Sequence, residues 1–428
     1  MTGHARGALP VGGILALACA LVLSGGARAD GAFPDEFSIH FPPGAPHRIY
    51  VGANFGLLVS EDDGATWRYS CEPWVVSGSN AALAFANVVF YQVTADGALL
   101  ADSLQVTRSS DVACTWPPST GSIDNQTIGD IFPDPNDASF ALAIVVQQTA
   151  SYIVASHDGG ETFDAPHLYE TPDLLTGVEI ARSKPGVVYA TSVSPSGGPA
   201  KFLASAASGA AGSWTETSLQ LSAATEPRIL AIDPADEKKV YLRILGGTTD
   251  EIWLTENSGQ DFEVILPPIT GRLSSFLLAG DGAIYAGTRA GQLYVQPAGA
   301  SAFTPHDAPH LRCLGQRPGA SRIYACADMV VDGFSLASSD DKSATFQPVM
   351  SFTQLLGPLT CAPVQTNCAA HWDRIQGVLG IRPPDAGSLP DAGTGQPGAG
   401  DSSHCASTGA GAFSLLLVAL FVWRRRRA

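Results

Sequence analysis

Residues 60–67 read SEDDGATW. Two carboxylates and a hydroxyl beside a glycine would suit a catalytic or metal-binding cluster, and would equally suit a tight turn. Repetition decides between them. The pattern Ser/Thr-x-Asp-x-Gly-x-Thr-Trp/Phe returns as SSDVACTW ending at Trp116, SHDGGETF at Phe163, TENSGQDF at Phe262 and SSDDKSATF at Phe346. Two degenerate copies, SAASGAAGSW and PAGASAF, end at Trp214 and Phe303. From Trp67 onward the closing aromatics are spaced 41 to 51 residues apart. A second landmark keeps step upstream of each copy: RIYVG, VVFYQV, FALAIV, VVYAT, KVYLR, AIYAG and RIYAC.

A period in the forties with several short β-rich runs per repeat marks propeller blades. Each repeat parses into four strands, in the first roughly FSIHFPP, RIYVGAN, GLLVS and TWRYSC. The box falls in the turn between the third and fourth. The body has no useful run of 3.6-residue amphipathic period, and Gly/Pro/Asp clusters fall where turns are needed. The expected fold is therefore all-β, a seven-bladed β-propeller of four-stranded blades over residues 30–356.

Turn chemistry accounts for the box without catalysis. Asp62 is placed to accept backbone N–H groups ahead of it, and Ser60 to bond across the turn. Gly64 supplies a positive φ, and Trp67 packs between sheets. Glu61 and Asp63 fall at variable positions and are expected in solvent. The same roles fall to Ser109, Asp111 and Trp116, to Ser156, Asp158, Gly160 and Phe163, to Asn257, Gly259 and Phe262, and to Ser339, Asp341 and Phe346. Where the acid is missing, Trp214 and Phe303 remain, so the packing residue is what persists.

The box resembles the Asp-box (BNR) repeat of sialidases and other propellers in its first and third copies, and the resemblance covers about three quarters of the chain. It implies the fold and says little of function, because Asp-box propellers include sialidases, xyloglucan-active endoglucanases, sortilin-type receptors and the photosystem II assembly factor. Seven single copies look most similar to the assembly-factor type of ring, which implies a protein-binding module. Two departures weigh against a sialidase: HRIY at residues 47–50 has no proline where that family has RIP, and sialidases have six blades.

The ends place the protein outside the cytoplasm. Residues 1–29 read as a signal peptide, with Arg6, an apolar run, and Ala27 and Ala29 set for cleavage before Asp30. At the other end, GAGAFSLLLVALFVWRRRRA is an apolar run closed by four arginines. It is short for a span of ~20 residues, with its basic flank expected on the cytoplasmic side. Residues 405–428 resemble myxobacterial sorting tails, which implies Cys405 as the processing or lipid-attachment position and display at the cell surface. Residues 382–404, rich in Pro, Gly and Asp, read as a linker.

The chain has 24 basic and 40 acidic residues, and losing the six arginines of its two ends leaves a body of 18 against 40. Such a body disfavours nucleic acid and anionic lipid as partners of the ring. Six cysteines remain in it, Cys71, Cys114, Cys313, Cys326, Cys361 and Cys368. An even number in an exported chain suggests three disulfides. None has zinc-ligand spacing. The local pairings are Cys361 with Cys368 and Cys313 with Cys326, which leaves Cys71 with Cys114. Residues 357–381 are expected to form a disulfide-pinned cap with a short helix, docked through Trp372.

A ligand pocket at the ring's axis is expected from the loops on the face away from the boxes. Its candidates include Trp74, Asp124, Arg228, Arg272, Arg289 and Asp307. Glu170 and Asp173, with Glu226 one blade later, are the candidate carboxylates for glycoside hydrolysis, which needs an acid and a base or nucleophile across a cleft. His306 and His310 in HDAPH are a weaker metal candidate. No catalytic set, cofactor motif or metal site is expected. The expected role is a monomeric, surface-anchored binding or scaffold module for a protein or glycan, held to the membrane through the tail. The alternative is an extracellular glycoside hydrolase.

Overall fold

A computed structural model describes residues 36–77, 89–103, 105–221 and 225–381. Seven sheets, antiparallel but for one added parallel pair in the third, stand in a ring, a seven-bladed β-propeller. In the first blade the strands are Glu36–His40, Ile49–Ala53, Gly56–Ser60 and Arg68–Cys71, and sheet order follows chain order. Every blade is thus a contiguous meander. The first strands of the blades pack on one another about the axis, and that of the seventh, Leu311–Gln316, lies against Glu36–His40 of the first. The signal stretch, the linker, the tail and Cys405 lie outside the described residues. Among the described residues no helix is long and apolar enough to cross a membrane.

The middle strands explain the apolar landmarks. IYVGA and GLLVS are buried at every position. A sheet covered on both faces by its neighbours reads as a continuous apolar run, not as an alternation.

The second blade departs from four regular strands. Its sheet has three, Phe90–Val93, Leu99–Asp102 and Val106–Ser109. The fourth place is taken by an irregular stretch in which Arg108 N–H donates to Pro117 O and Ser119 N–H to Val106 O, at 3.0 and 2.9 Å. Pro117 and Pro118 have no N–H to give a ladder. The chain then runs on to pair Thr120–Gly121 with the outer strand of the third blade.

The box is a hydrogen-bonded turn between third and fourth strands. Ser60 Oγ donates to Asp62 Oδ1 at 2.8 Å and accepts Gly64 N–H at 2.8 Å. Asp62 accepts Thr66 N–H at 2.8 Å and the Thr66 hydroxyl at 2.6 Å. The same bonds recur on Asp111, Asp158 and Asp341. In the fifth blade Thr255 and Asn257 reproduce them. Asp63 is not simply in solvent: it pairs with Arg317 of the seventh blade at 3.1 Å, and Glu61 with Arg48 at 2.8 Å.

The closing aromatics are wedged as expected. Trp67, Trp116 and Phe163 are buried. Phe262 meets Phe202 of the preceding blade edge-on, with centroids 5.3 Å apart, and Trp214 meets Tyr169 at 5.5 Å. The glycine has a second duty that turn chemistry alone does not reveal. At Gly259 (φ +88°) an added Cβ would fall 2.3 Å from a ring carbon of Phe202, and at Gly64 (φ +93°) 2.9 Å from Val349. The box glycine is where one blade touches the blade before it.

Closure comes from the segment after the seventh blade. Residues 356–359 lie parallel to the outer strand of the first blade. Leu356 N–H donates to Trp67 O at 3.0 Å, Tyr69 N–H to Gly357 O at 3.1 Å and Leu359 N–H to Tyr69 O at 2.9 Å. An 18-residue helix, Ala362–Leu379, follows. It is longer than the short cap helix expected, and Trp372 packs on Tyr69 at 5.5 Å.

Cys313 pairs with Cys326 as expected, but the other two pairings are exchanged: Cys71 joins Cys368 and Cys114 joins Cys361. The helix is the reason. Cys361 is its N-cap and Cys368 is buried on its inner face. Seven residues of helix rise about 10 Å, beyond the roughly 7 Å that a disulfide spans between Cα atoms. Each cysteine therefore reaches a different blade.

Candidate functional site

The axis holds a cavity of about 340 Å³. Its walls come from the first strands of five blades, Glu36–His40, Phe90–Val93, Thr127–Pro133, Leu174–Ile180 and Glu226–Ile232, together with Asp102 from the second strand of the second blade. The residues that give it chemical character are His40, Phe90, Asp102, Asp130, Glu179 and Arg228.

Three carboxyl groups from three successive blades share this space. Burial, and then the charge of Asp130, raises Asp102 to about 7. Burial raises Asp130 to about 6 against the pull of two backbone donors, Val178 N–H on Oδ2 and Ile131 N–H on Oδ1, each at 2.9 Å. Burial, and then Asp130, raises Glu179 to about 8. Taking a carboxylate out of water penalises its charged form, and a like charge nearby adds to the penalty. Burial likewise holds His40 down at about 4, so its ring is neutral.

Several polar atoms of the cavity have no partner. Asp102 is 5% exposed, and its Oδ1 makes no hydrogen bond. Ser38 Oγ and His40 Nε2, from the neighbouring strand, are also unsatisfied. The hydroxyl of Tyr91, another lining residue, is a fourth. Buried polar atoms are nearly always paired, so four orphans on the residues of one cavity require an explanation. Phe90 is 61% exposed here, an aromatic ring open to whatever enters. The cation of the wall, Arg228, is engaged by Glu226, with Nε and a terminal nitrogen 2.8 and 2.7 Å from Oε1.

The residues picked from the loops are dispersed. Glu170 is exposed and pairs with His167 at 3.1 Å. Asp173 is buried in an ion pair with Lys201 at 3.1 Å, and Lys201 also holds Glu216 at 3.0 Å. Glu226 is committed to Arg228. Each of the three is thus engaged by a separate side chain, Glu170 by His167, Asp173 by Lys201 and Glu226 by Arg228.

Arg272 is held by the buried Asp250 at 2.9 Å, and Trp74 donates to Cys114 O at 3.0 Å, so both are structural. His306 is exposed, while His310 is tied to Asp332 at 2.9 Å. Asp124, Arg289 and Asp307 are exposed. Of the axial candidates, Arg228 alone lines the cavity. Among the described residues no group of three or more His, Cys, Asp or Glu could hold a metal ion.

Sequence reasoning looked for the axis in loops, whereas the cavity is built from strands. One signal was present. IGDIF and GVEIA each carry a charge inside an otherwise apolar run, at Asp130 and Glu179. Such an interruption in the innermost strand points at the axis.

No protein-family model matches the chain, and no curated protein matches it. Solved structures resemble it in fold. The extracellular domain of a one-component system from B. thetaiotaomicron is 11% identical, covering 73% of this chain and 39% of its own, with a TM-score of 0.47. An ancestral GH74 enzyme is 13% identical over 74% and 48%, at 0.43. YCF48 bound to D1 peptide is 17% identical over 53% and 67%, at 0.37. The chain thus spans half or less of the first two. The class of protein that fold and site define is a seven-bladed propeller with a titratable axial cavity.

Proposed function

We propose that this chain is an exported, surface-displayed binding propeller that engages a protein or glycan partner at its axial cavity. The boxes are Asp-box turns serving as joints. Residues 1–29 direct export, and the tail from Cys405 anchors the ring. Three disulfides accord with an oxidising compartment. One observation carries the binding role: an exposed Phe90 and four residues with an unpartnered polar atom line one preformed cavity. Preformed concave sites with an apolar wall and few convergent polar groups are where ligands bind.

The test is capture of surface proteins and a glycan array with the full chain, wild type against Phe90→Ser. A retained partner lost on that substitution supports the role. Capture indifferent to Phe90, or none, rejects it.

One observation favours the second reading, a glycoside hydrolase: the axial carboxyls are held in the range where an acid and a base can coexist near neutrality. Reducing ends released from a polysaccharide panel by wild type and not by Asp130→Asn would select it.

A further inference from the structure

The carboxyl groups of the axial cavity make no ion pair, and the cation of the wall, Arg228, acts on Asp130 only from a distance. Among the described residues, Asp102, Asp130 and Glu179 form no salt bridge, and the Arg228 guanidinium is taken by Glu226. The buried His40 ring brings no charge. Asp102 Oδ1, on a side chain 5% exposed, is an acceptor with no donor. Phe37 and Phe90 supply apolar surface in the same space.

We propose that the axial cavity takes a primary alkylammonium group on a slim carbon chain. The ammonium is held among Asp102, Asp130 and Glu179, and the methylenes lie against Phe90 and Phe37. This rests on the axial binding role above and gives it a ligand chemistry.

Three arguments select that chemistry. An ammonium carries three donors and no acceptor, which complements a wall whose orphan is a carboxylate oxygen. It also offsets the burial and mutual repulsion that drive these carboxyls toward the neutral form.

A metal ion is the poorer fit. Metal–oxygen distances of about 2.0–2.6 Å require ligands to converge closely. These carboxyls come from three blades, and no His/Cys/Asp/Glu group among the described residues converges enough to hold one.

Size agrees as well. At about 340 Å³ the cavity is at the small end of the roughly 300–1,000 Å³ range of ligand pockets. An exposed aromatic face adds attraction for a cation at close range. The group has two sources of one chemistry, a lysine side chain of a partner protein or a free diamine.

The experiment is titration calorimetry on the full chain with 1,5-diaminopentane, pentan-1-ol, calcium, and a lysine-containing peptide beside its Nε-acetylated form. The diamine or the unmodified peptide is expected to bind, while pentan-1-ol and the acetylated peptide do not. Diamine alone identifies a free amine, and peptide alone identifies a partner's lysine. Asp102→Asn and Glu179→Gln should each weaken binding about tenfold or more. Asp102→Asn changes an oxygen that makes no bond in the fold, so a folding defect is not expected to mask the result. Heat measured near neutrality should vary with the buffer's ionisation enthalpy, because binding expels protons.

Absence of binding by either amine, equal binding of pentan-1-ol, or competition by calcium overturns the inference. A partner lost on Phe90→Ser while both amines stay inert overturns this inference and leaves the binding role standing. Amine binding alongside capture indifferent to Phe90 does the reverse.

Discussion

Cys71 and Cys368 are joined by a disulfide across 297 residues, with Cα atoms 5.6 Å apart. One is the last residue of the first blade's outer strand, and the other lies on the inner face of the closing helix. Cys114 and Cys361 repeat the tie to the second blade across 247 residues. A cross-link over so long a loop removes much freedom from the unfolded chain. The double variant Cys71→Ser/Cys368→Ser is expected to lose about 3–5 kcal/mol in urea unfolding. Cys313→Ser/Cys326→Ser opens a loop of 13 residues and should lose less. Equal losses would remove the helix from its role in closure.

The box glycines predict a graded cost. Gly259→Ala sets a Cβ 2.3 Å from Phe202 at φ +88° and should destabilise the fold by about 2 kcal/mol or more. Gly247→Ala meets nothing within 4 Å and is the control. Thermal unfolding of the two variants decides whether the glycine is an inter-blade contact or only a turn residue.

Asp250 is the buried hinge between the fifth and sixth blades. Its carboxylate holds Arg243, Arg272 and Leu273 N–H, and it is 1% exposed. Asp250→Ala leaves two guanidinium groups without their partner and is expected to lose about 3–5 kcal/mol. A loss below about 1 kcal/mol would place this cluster among surface pairs, which contribute little.

The axial carboxyls predict a pH profile. Asp102, Asp130 and Glu179 keep their protons to about 7, 6 and 8 in the fold, whereas free carboxyls release theirs near about 4. Across that interval the folded chain binds more protons than the unfolded one, so the stability these groups contribute falls as pH rises from about 4 to about 8. His40 acts oppositely on the acid side. Its folded value of about 4 lies below the free value, so its own contribution falls as pH drops from about 6.5 toward 4. Between about pH 4 and 6 three carboxyls outweigh one imidazole, so these groups place the calorimetric Tm maximum near about pH 4, and Glu179→Gln should flatten the alkaline limb. A Tm that climbs from pH 6 to 8 contradicts these assignments.

The ring was legible because its joints repeat. A box bonded as Ser60 and Asp62 are, closed by an aromatic as Trp67 closes it, states its role several times over. The disulfides were less legible. Pro363 in CAPVQTNC suits the first turn of a helix, but the sequence does not fix Cys361 as its N-cap, and without that start the nearest cysteine is the natural partner. YETPDLLTG reads as an acidic loop, yet Glu170 lies inside the strand Thr162–Thr171. Asp130 and Glu179 were hidden inside strands, where charge is expected to be absent. Their meeting depends on the order of blades around the ring, a relationship that no local window contains.

Because each blade is one unbroken stretch of chain, sheets can form in the order in which they emerge, but the latch comes last. A polypeptide ending before residue 361 would own every sheet and the pairing of residues 356–359, but neither disulfide of the closing helix, and its Cys71 and Cys114 would be without their partners. The last stretch of chain therefore decides which partners the cysteines of the first two blades meet.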